Sequence, residues 1–148
     1  MMLPFALLAD VVDIYMPDIK FQDPDIAEQT CRAKDYKDVS RKAIIEMHRQ
    51  VGDLAVNSSG VAERGLIVRH LVLPDNLAGT REAMMFIAEH ISTNTYVNIM
   101  PQYRPCGTAH ETKGMNRGIT SKEFERALRD AENAGISRLD NRRSFLRL

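Results

Sequence analysis

Apolar and polar positions along this chain alternate between two periods, a short one that marks strands and a 3.6-residue one that marks helices. Val11-Val12-Asp13-Ile14-Tyr15-Met16-Pro17-Asp18-Ile19-Lys20 reads as a strand with a polar tip. Its first half is β-branched and aromatic, and its regular pairing ends near Pro17, which has no N–H to donate. Residues 21–38 are polar and turn-rich, with Asp23-Pro24-Asp25 marking a turn or a helix start. From Tyr36 to Val51 the apolar stripe Val39, Ala43, Ile44, Met47 and Val51 predicts a helix capped by Gly52. Leu54-Ala55-Val56 and Val61-Ala62-Glu63 flank Asn57-Ser58-Ser59-Gly60, the pattern of a short hairpin.

Gly65 to Pro74 is the clearest strand, nearly continuous in Ile, Val and Leu, as expected of a strand buried on both faces. Thr80 to Ile91 reads as a helix whose buried stripe is Ala83, Ile87, Ala88 and Ile91, with Met84 beside it. Thr95 to Met100 is a third strand, stopped by Pro101. Thr120-Ser121-Lys122-Glu123 is a capping box that opens a helix to Ala134, followed by Gly135 and a short strand over Ile136 to Leu139. Met1 to Leu8 reads as the tail of an amphipathic helix entering the first strand, and Asn141 to Ser144 as a frayed end. Strands alternating with helices predict an α/β fold of parallel βα units joined by right-handed crossovers, with a short β-hairpin insertion. Three or four strands are too few to close a barrel. The chain is therefore a small open sheet or part of a larger barrel.

Length and composition narrow the classes. The chain has 148 residues, enough for a single α/β domain, and at 44% hydrophobic and 27% charged it lies outside the disordered range. Lys+Arg and Asp+Glu both number 20, so the formal net charge is zero. Without excess cations to displace counterions, neither nucleic acid nor an anionic membrane is an expected partner. No run reaches the ~18 apolar residues of a spanning helix. The apolar start lacks the basic region of a signal peptide, and Asp10 and Asp13 follow it closely. Two cysteines, Cys31 and Cys106, form neither a disulfide framework nor a CxxC site, and fit reduced thiols in a cytoplasmic protein.

In parallel α/β sheets ligands bind beyond the C-terminal ends of the strands, and each strand here carries polar residues at that end. Asp18 and Lys20 are two apart, so an extended backbone puts both on one face. They are either a surface ion pair or a carboxylate and an ammonium for a zwitterionic ligand. Arg69 interrupts an apolar strand. It either meets an anionic partner or ligand suited to its fork, or lies near the strand's start and snorkels to water. Asn98, Gln102, Tyr103 and Arg104 cluster after the third strand, where ordinary loop hydrogen bonding is the competing reading. Cys106 and His110 sit four apart, but two ligands do not make a zinc site. His48, His70 and His90 fall on predicted elements and read as structural. There is no GxGxxG, P-loop or HExxH, and no nucleophile with an evident base.

Four strings carry a resemblance: Val12-Asp13-Ile14-Tyr15-Met16-Pro17-Asp18-Ile19-Lys20-Phe21, Met47-His48-Arg49-Gln50-Val51-Gly52, Gly65-Leu66-Ile67-Val68-Arg69-His70-Leu71-Val72-Leu73-Pro74 and Tyr96-Val97-Asn98-Ile99-Met100-Pro101-Gln102-Tyr103-Arg104-Pro105. In order and spacing the chain resembles the radical S-adenosylmethionine family of proteins similar to pyruvate formate-lyase-activating enzyme. The resemblance implies an incomplete (β/α) TIM-like barrel holding a [4Fe–4S] cluster and S-adenosylmethionine. It implies that Asp18 and Lys20 match the family's Asp-x-Lys motif, which contacts S-adenosylmethionine, and that Arg69 binds its carboxylate. Tyr103 falls near a ligand-contacting His of the activating enzymes, and departs from it. The family's CxxxCxxC is absent, and neither Cys31 nor Cys106 matches it.

The expectation is therefore the C-terminal half of such a barrel, residues 1–148, without the N-terminal cluster-binding half. It would supply part of the S-adenosylmethionine pocket and would not be catalytic alone, because three thiolates are needed to hold the cluster. The alternatives are a non-catalytic α/β module that pairs with an N-terminal half or a second protomer along its open sheet edge, and a stand-alone small-molecule binder. A glycyl-radical-type protein substrate follows from the resemblance alone.

Overall fold

The structure, a computed structural model, describes residues 7–140. The expected helix tail over Met1 to Leu8 falls mostly outside the described residues, and the frayed end at Asn141 to Ser144 falls wholly outside them. The described residues form a mixed α/β unit with a small open sheet and four α-helices, ordered β1 (Ile14–Tyr15), α1 (Pro24–Cys31), α2 (Tyr36–Val51), β2 (Ala55–Val56), β3 (Ala62–Leu71), α3 (Thr80–His90), β4 (Tyr96–Met100) and α4 (Ser121–Asn133). Among the described residues no helix is long and apolar enough to cross a membrane.

β3 is the centre of the sheet. β1 and β4 pair with it in parallel, and β2 folds back antiparallel with a bulge, forming the hairpin predicted around Asn57 to Gly60. Val97 of β4 makes a parallel bridge to Leu139, so the predicted last strand is reduced to a single bridge. Successive parallel segments are thus neighbours in chain order. The first expected strand is also shorter than read. Its ladder covers Ile14–Tyr15, and beyond Pro17 its backbone pairs with β3 at the single bridge between Asp18 and Arg69.

α1 occupies a stretch predicted to be turn-rich. Asp23 accepts from the amides of Asp25 and Ile26 and Pro24 pre-sets the first turn, while Ala27 is its buried residue, which leaves no apolar stripe to read. α2 has the predicted bounds, with Ile44 and Val51 buried, but Val39 is 49% exposed because the helix leans on the sheet through its later turns. The capping box of α4 is present, with Thr120 Oγ1 accepting from the Glu123 amide at 3.2 Å and Glu123 Oε2 accepting from the Thr120 amide at 2.7 Å.

One correction positions the site. β3 was expected to be buried on both faces, yet its residues alternate: Leu66, Val68 and His70 are buried, whereas Ile67, Arg69 and Leu71 are half-buried. The buried set joins Val97 and Ile99 of β4, Ile44 of α2, Met84 and Ile87 of α3, and Ala127 and Ala131 of α4 in one core. Each fully buried Leu, Ile or Val there contributes about 2 kcal/mol. These helices therefore cover one face of the sheet, and the other carries Met16, Asp18, Ile67, Arg69, Tyr96 and Asn98. A second apolar cluster at the C-terminal ends of the strands gathers Phe21, Ala27, Leu73, Ala78 and Met115, with Leu71 and Tyr103 against it.

Candidate functional site

Parallel pairing lines up three polar residues on the face opposite the helices. Asp18 is bridged to Arg69, and Arg69 is in register with Asn98, giving one row across the segment after β1, β3 and β4. Arg69 stands near the C-terminal end of β3 rather than at its start, so the snorkelling reading fails and the paired reading holds. Its Nε donates to Asp18 Oδ1 at 2.7 Å, and the other oxygen of Asp18 meets Lys20 Nζ at 3.2 Å. One carboxylate is thus shared by two cations, and the group carries one net positive charge. Asp18 and Arg69 are half-buried, with side chains 26% and 36% exposed, so the attraction is less screened than on an open surface. The remaining N–H groups of Arg69 have no partner among the described residues. They form a fork available to a carboxylate.

Among the described residues Tyr103 makes no hydrogen bond to this group. Its hydroxyl donates to the Met115 carbonyl at 2.9 Å and its ring packs in the second apolar cluster, where burial pushes the phenol's pKa up. His110 Nδ1 lies 2.8 Å from Asn116 Oδ1, and Cys106 and Cys31 are exposed. Among the described residues no group of three His, Cys, Asp or Glu is placed to hold a metal.

The loops at the C-terminal end of the sheet are tied by charge. Arg117 forks onto both oxygens of Glu123 at 2.9 and 2.8 Å and reaches Asp75 Oδ1 at 2.7 Å, while the Asp75 amide donates to Glu123 Oε1 at 2.8 Å. The guanidinium holds the Glu123 carboxyl well below the usual carboxylate range. Asp75 and Asn76 both have positive φ, 54° and 57°, a strained pair of positions for side-chain-bearing residues. A cleft of about 330 Å³ opens beside them, lined by Val72, Thr80, Arg126 and Asp130 among others. Nothing in the spacing marks this clamp, whose members are brought together only by the packing of α4 against the loop after β3.

His70 is the buried polar residue of β3. A carbonyl only accepts, so Nδ1 carries the proton donated to Ile19 O at 2.7 Å, and Nε2 accepts from Thr80 Oγ1 at 2.9 Å. Burial pushes its pKa down to about 4, which keeps the ring neutral. The structural reading of His70 holds, and its two partners tie the segment after β1 to the start of α3.

An uncharacterized protein of Methanocaldococcus jannaschii is similar to this chain, 34% identical over 131 residues. The match takes in 88% of the chain and 34% of that protein, so the chain spans about a third of the length of this curated relative. No family model matches the chain. No solved structure matches it either.

Proposed function

We propose that the chain forms part of a radical S-adenosylmethionine protein similar to pyruvate formate-lyase-activating enzyme, and that Asp18, Lys20 and Arg69 receive the amino-acid end of S-adenosylmethionine. The observation that carries this reading is the Arg69–Asp18–Lys20 group on the face of the sheet opposite α2, α3 and α4. A ligand bearing an α-carboxylate and an α-ammonium finds a partner for each charge there: the carboxylate takes the unused fork of Arg69, and the ammonium takes a share of Asp18. Parallel segments adjacent in chain order, with helices on one face, suit a section of a (β/α) barrel whose interior is the other face. On this reading the protein is cytoplasmic, where two exposed thiols stay reduced.

The cluster that the family uses does not fit these residues. Three thiolates are required, and this chain has two cysteines, one closing α1 and one in the loop after β4. When bound, S-adenosylmethionine supplies a sulfonium for reductive cleavage, and the electron donor would have to be held by other polypeptide. The reading therefore gives this chain ligand binding and no catalysis of its own. Tyr103, whose hydroxyl proton is donated to the Met115 carbonyl, could meet a ligand only as an acceptor or through its ring.

Isothermal titration with S-adenosylmethionine tests the pocket. Arg69→Ala should weaken binding about 10- to 100-fold, the loss of charge-assisted hydrogen bonds. Unchanged affinity would remove Arg69 from the pocket. Anaerobic reconstitution with iron and sulfide tests the division of labour: the chain alone should release no 5′-deoxyadenosine, and release by the chain alone overturns the reading.

A second reading, a non-catalytic module that pairs with further polypeptide, is favoured by the edge of the sheet. No strand lies beyond β1 among the described residues, and Leu7, Val11 and Met16 are 84, 71 and 54% exposed around it. An N-terminal half or a second protomer would cover that edge. A glycyl-radical-type protein substrate belongs to the assembled protein.

A further inference from the structure

We infer that Tyr36 and His70 are positioning residues that clasp the Asp18–Ile19–Lys20 backbone from its two edges and so aim Asp18 and Lys20 at Arg69. The inference rests on the reading of those three side chains as the ligand-receiving group. Pairing with β3 fades in this stretch: Arg69 N–H donates to Pro17 O and Ile19 N–H donates to Arg69 O, both at 2.9 Å, and no strand continues the ladder beyond them. Side chains take three of the peptide groups that remain, the Ile19 and Asp18 carbonyls and the Lys20 amide. On the β3 side His70 Nδ1–H donates to Ile19 O at 2.7 Å.

On the opposite edge Tyr36, the first residue of α2, does the work of a neighbouring strand. Its oxygen accepts from the Lys20 amide at 3.1 Å, and its O–H donates to the Asp18 carbonyl at 3.2 Å. Consecutive residues of an extended chain point their peptide groups to alternate edges. Asp18 C=O and Lys20 N–H therefore share the edge that Tyr36 covers, while both groups of Ile19 face β3 and His70. The same alternation puts the side chains of Asp18 and Lys20 together on the face that holds Arg69.

Both clasping groups are themselves fixed. The Tyr36 ring packs edge-on against Phe21 with centroids 5.7 Å apart, and burial raises its pKa, so the hydroxyl keeps its proton. The His70 ring is fully buried, and Thr80 Oγ1 donates to its far nitrogen. Neither side chain hydrogen-bonds to the Arg69 guanidinium or needs to touch a ligand. They act through the backbone of Asp18 and Lys20.

Tyr36→Phe tests the clasp, because it deletes the hydroxyl and leaves the ring packing. Hydrogen exchange read by ¹⁵N NMR on the chain without ligand should show the Lys20 amide and the Arg69 Nε–H exchanging about tenfold faster. The melting temperature should fall by no more than about 8 °C, the effect expected of two part-buried hydrogen bonds in a chain of this size. Affinity for S-adenosylmethionine should drop at least about fivefold.

A pair of variants at His70 separates its two contacts. His70→Asn keeps a donor near the Nδ1 position and should keep the Arg69 Nε–H protected. His70→Gln keeps a group near Nε2, loses the Ile19 contact, and should release it. Unchanged exchange at Lys20 and Arg69 in Tyr36→Phe would overturn the inference, as would a rise spread evenly over the whole backbone. If the unmodified chain fails to bind S-adenosylmethionine, the ligand reading falls, and the exchange comparison still decides the positioning role.

Discussion

His70→Leu is expected to lower the unfolding free energy by about 3 kcal/mol at pH 7, since a buried group left without its hydrogen-bond partner costs about 1–3 kcal/mol and two are stranded here. Leucine fills much the same space, so the loss reports polar satisfaction more than a cavity. Ile19 O loses its donor, and the Thr80 hydroxyl loses its acceptor within a fully buried setting. A melting temperature lower by roughly 6–12 °C is the corresponding thermal result. A change under about 1 kcal/mol would mean that water or a rearranged backbone replaces both contacts.

The same residue carries a pH signature. In the unfolded chain an ordinary imidazole takes up a proton near pH 6.5, whereas burial holds the folded ring to about 4. Between these values the unfolded chain binds more protons, so His70's contribution is intact above about pH 6.5 and is lost as the pH falls towards 4. The gap corresponds to about 3 kcal/mol. Urea unfolding of the parent and His70→Leu chains across this range isolates it, because every other group titrates in both. The stability difference should shrink as the pH falls from 7 to 4, and a constant difference would sink the assignment.

Gly65→Ala is expected to be at least as damaging, with a cost of about 4 kcal/mol or a chain that fails to fold. Gly65 has φ +121°, and an added Cβ would lie 2.4 Å from Asp53 O and 2.6 Å from Leu54 Cα. Those are backbone atoms and cannot swing aside as a side chain would. They are held in place because the Leu66 amide donates to Gly52 O at 3.0 Å and Asp53 forms a parallel bridge to Leu66. The methyl group would force the turn after α2 off β3 exactly where the sheet begins to widen. Gly60→Ala is the control. Gly60 also has positive φ, +77°, but nothing lies within 4 Å of its would-be Cβ, so only the left-handed backbone cost of about 1–2 kcal/mol applies. Equal effects at the two positions, read by urea unfolding, would show that the close approach at Gly65 relaxes freely.

Much of this architecture was legible because its signals are local. The Thr120–Glu123 capping box, the bounds of α2 and the hairpin around Asn57 to Gly60 each lie within a few residues of their cause. The two-sided burial of β3 was misread because Ile67 and Leu71 are apolar on a face that the described residues cover only in part. Periodicity reports what a strand is made of and is silent on what packs against it. Asp18 and Lys20 could be paired from their spacing, and Arg69 flagged as needing an anion. That the anion is Asp18 itself depends on the parallel register of β1 with β3, which no spacing records. Tyr36 had no signal at all, since its partners lie 16 and 18 positions away and meet it only after α1 and α2 have folded.

The alternation along β3 divides its residues into two inheritances. From Leu66 onward, the even-numbered positions Leu66, Val68 and His70 answer to the helices and are constrained by volume, so a change there is felt as lost cohesion. The odd-numbered positions Ile67, Arg69 and Leu71 answer to whatever approaches the opposite side of the sheet. Recognition and durability are thus written on opposite sides of the last six residues of one ribbon, so that either can be revised while the other is left unaltered.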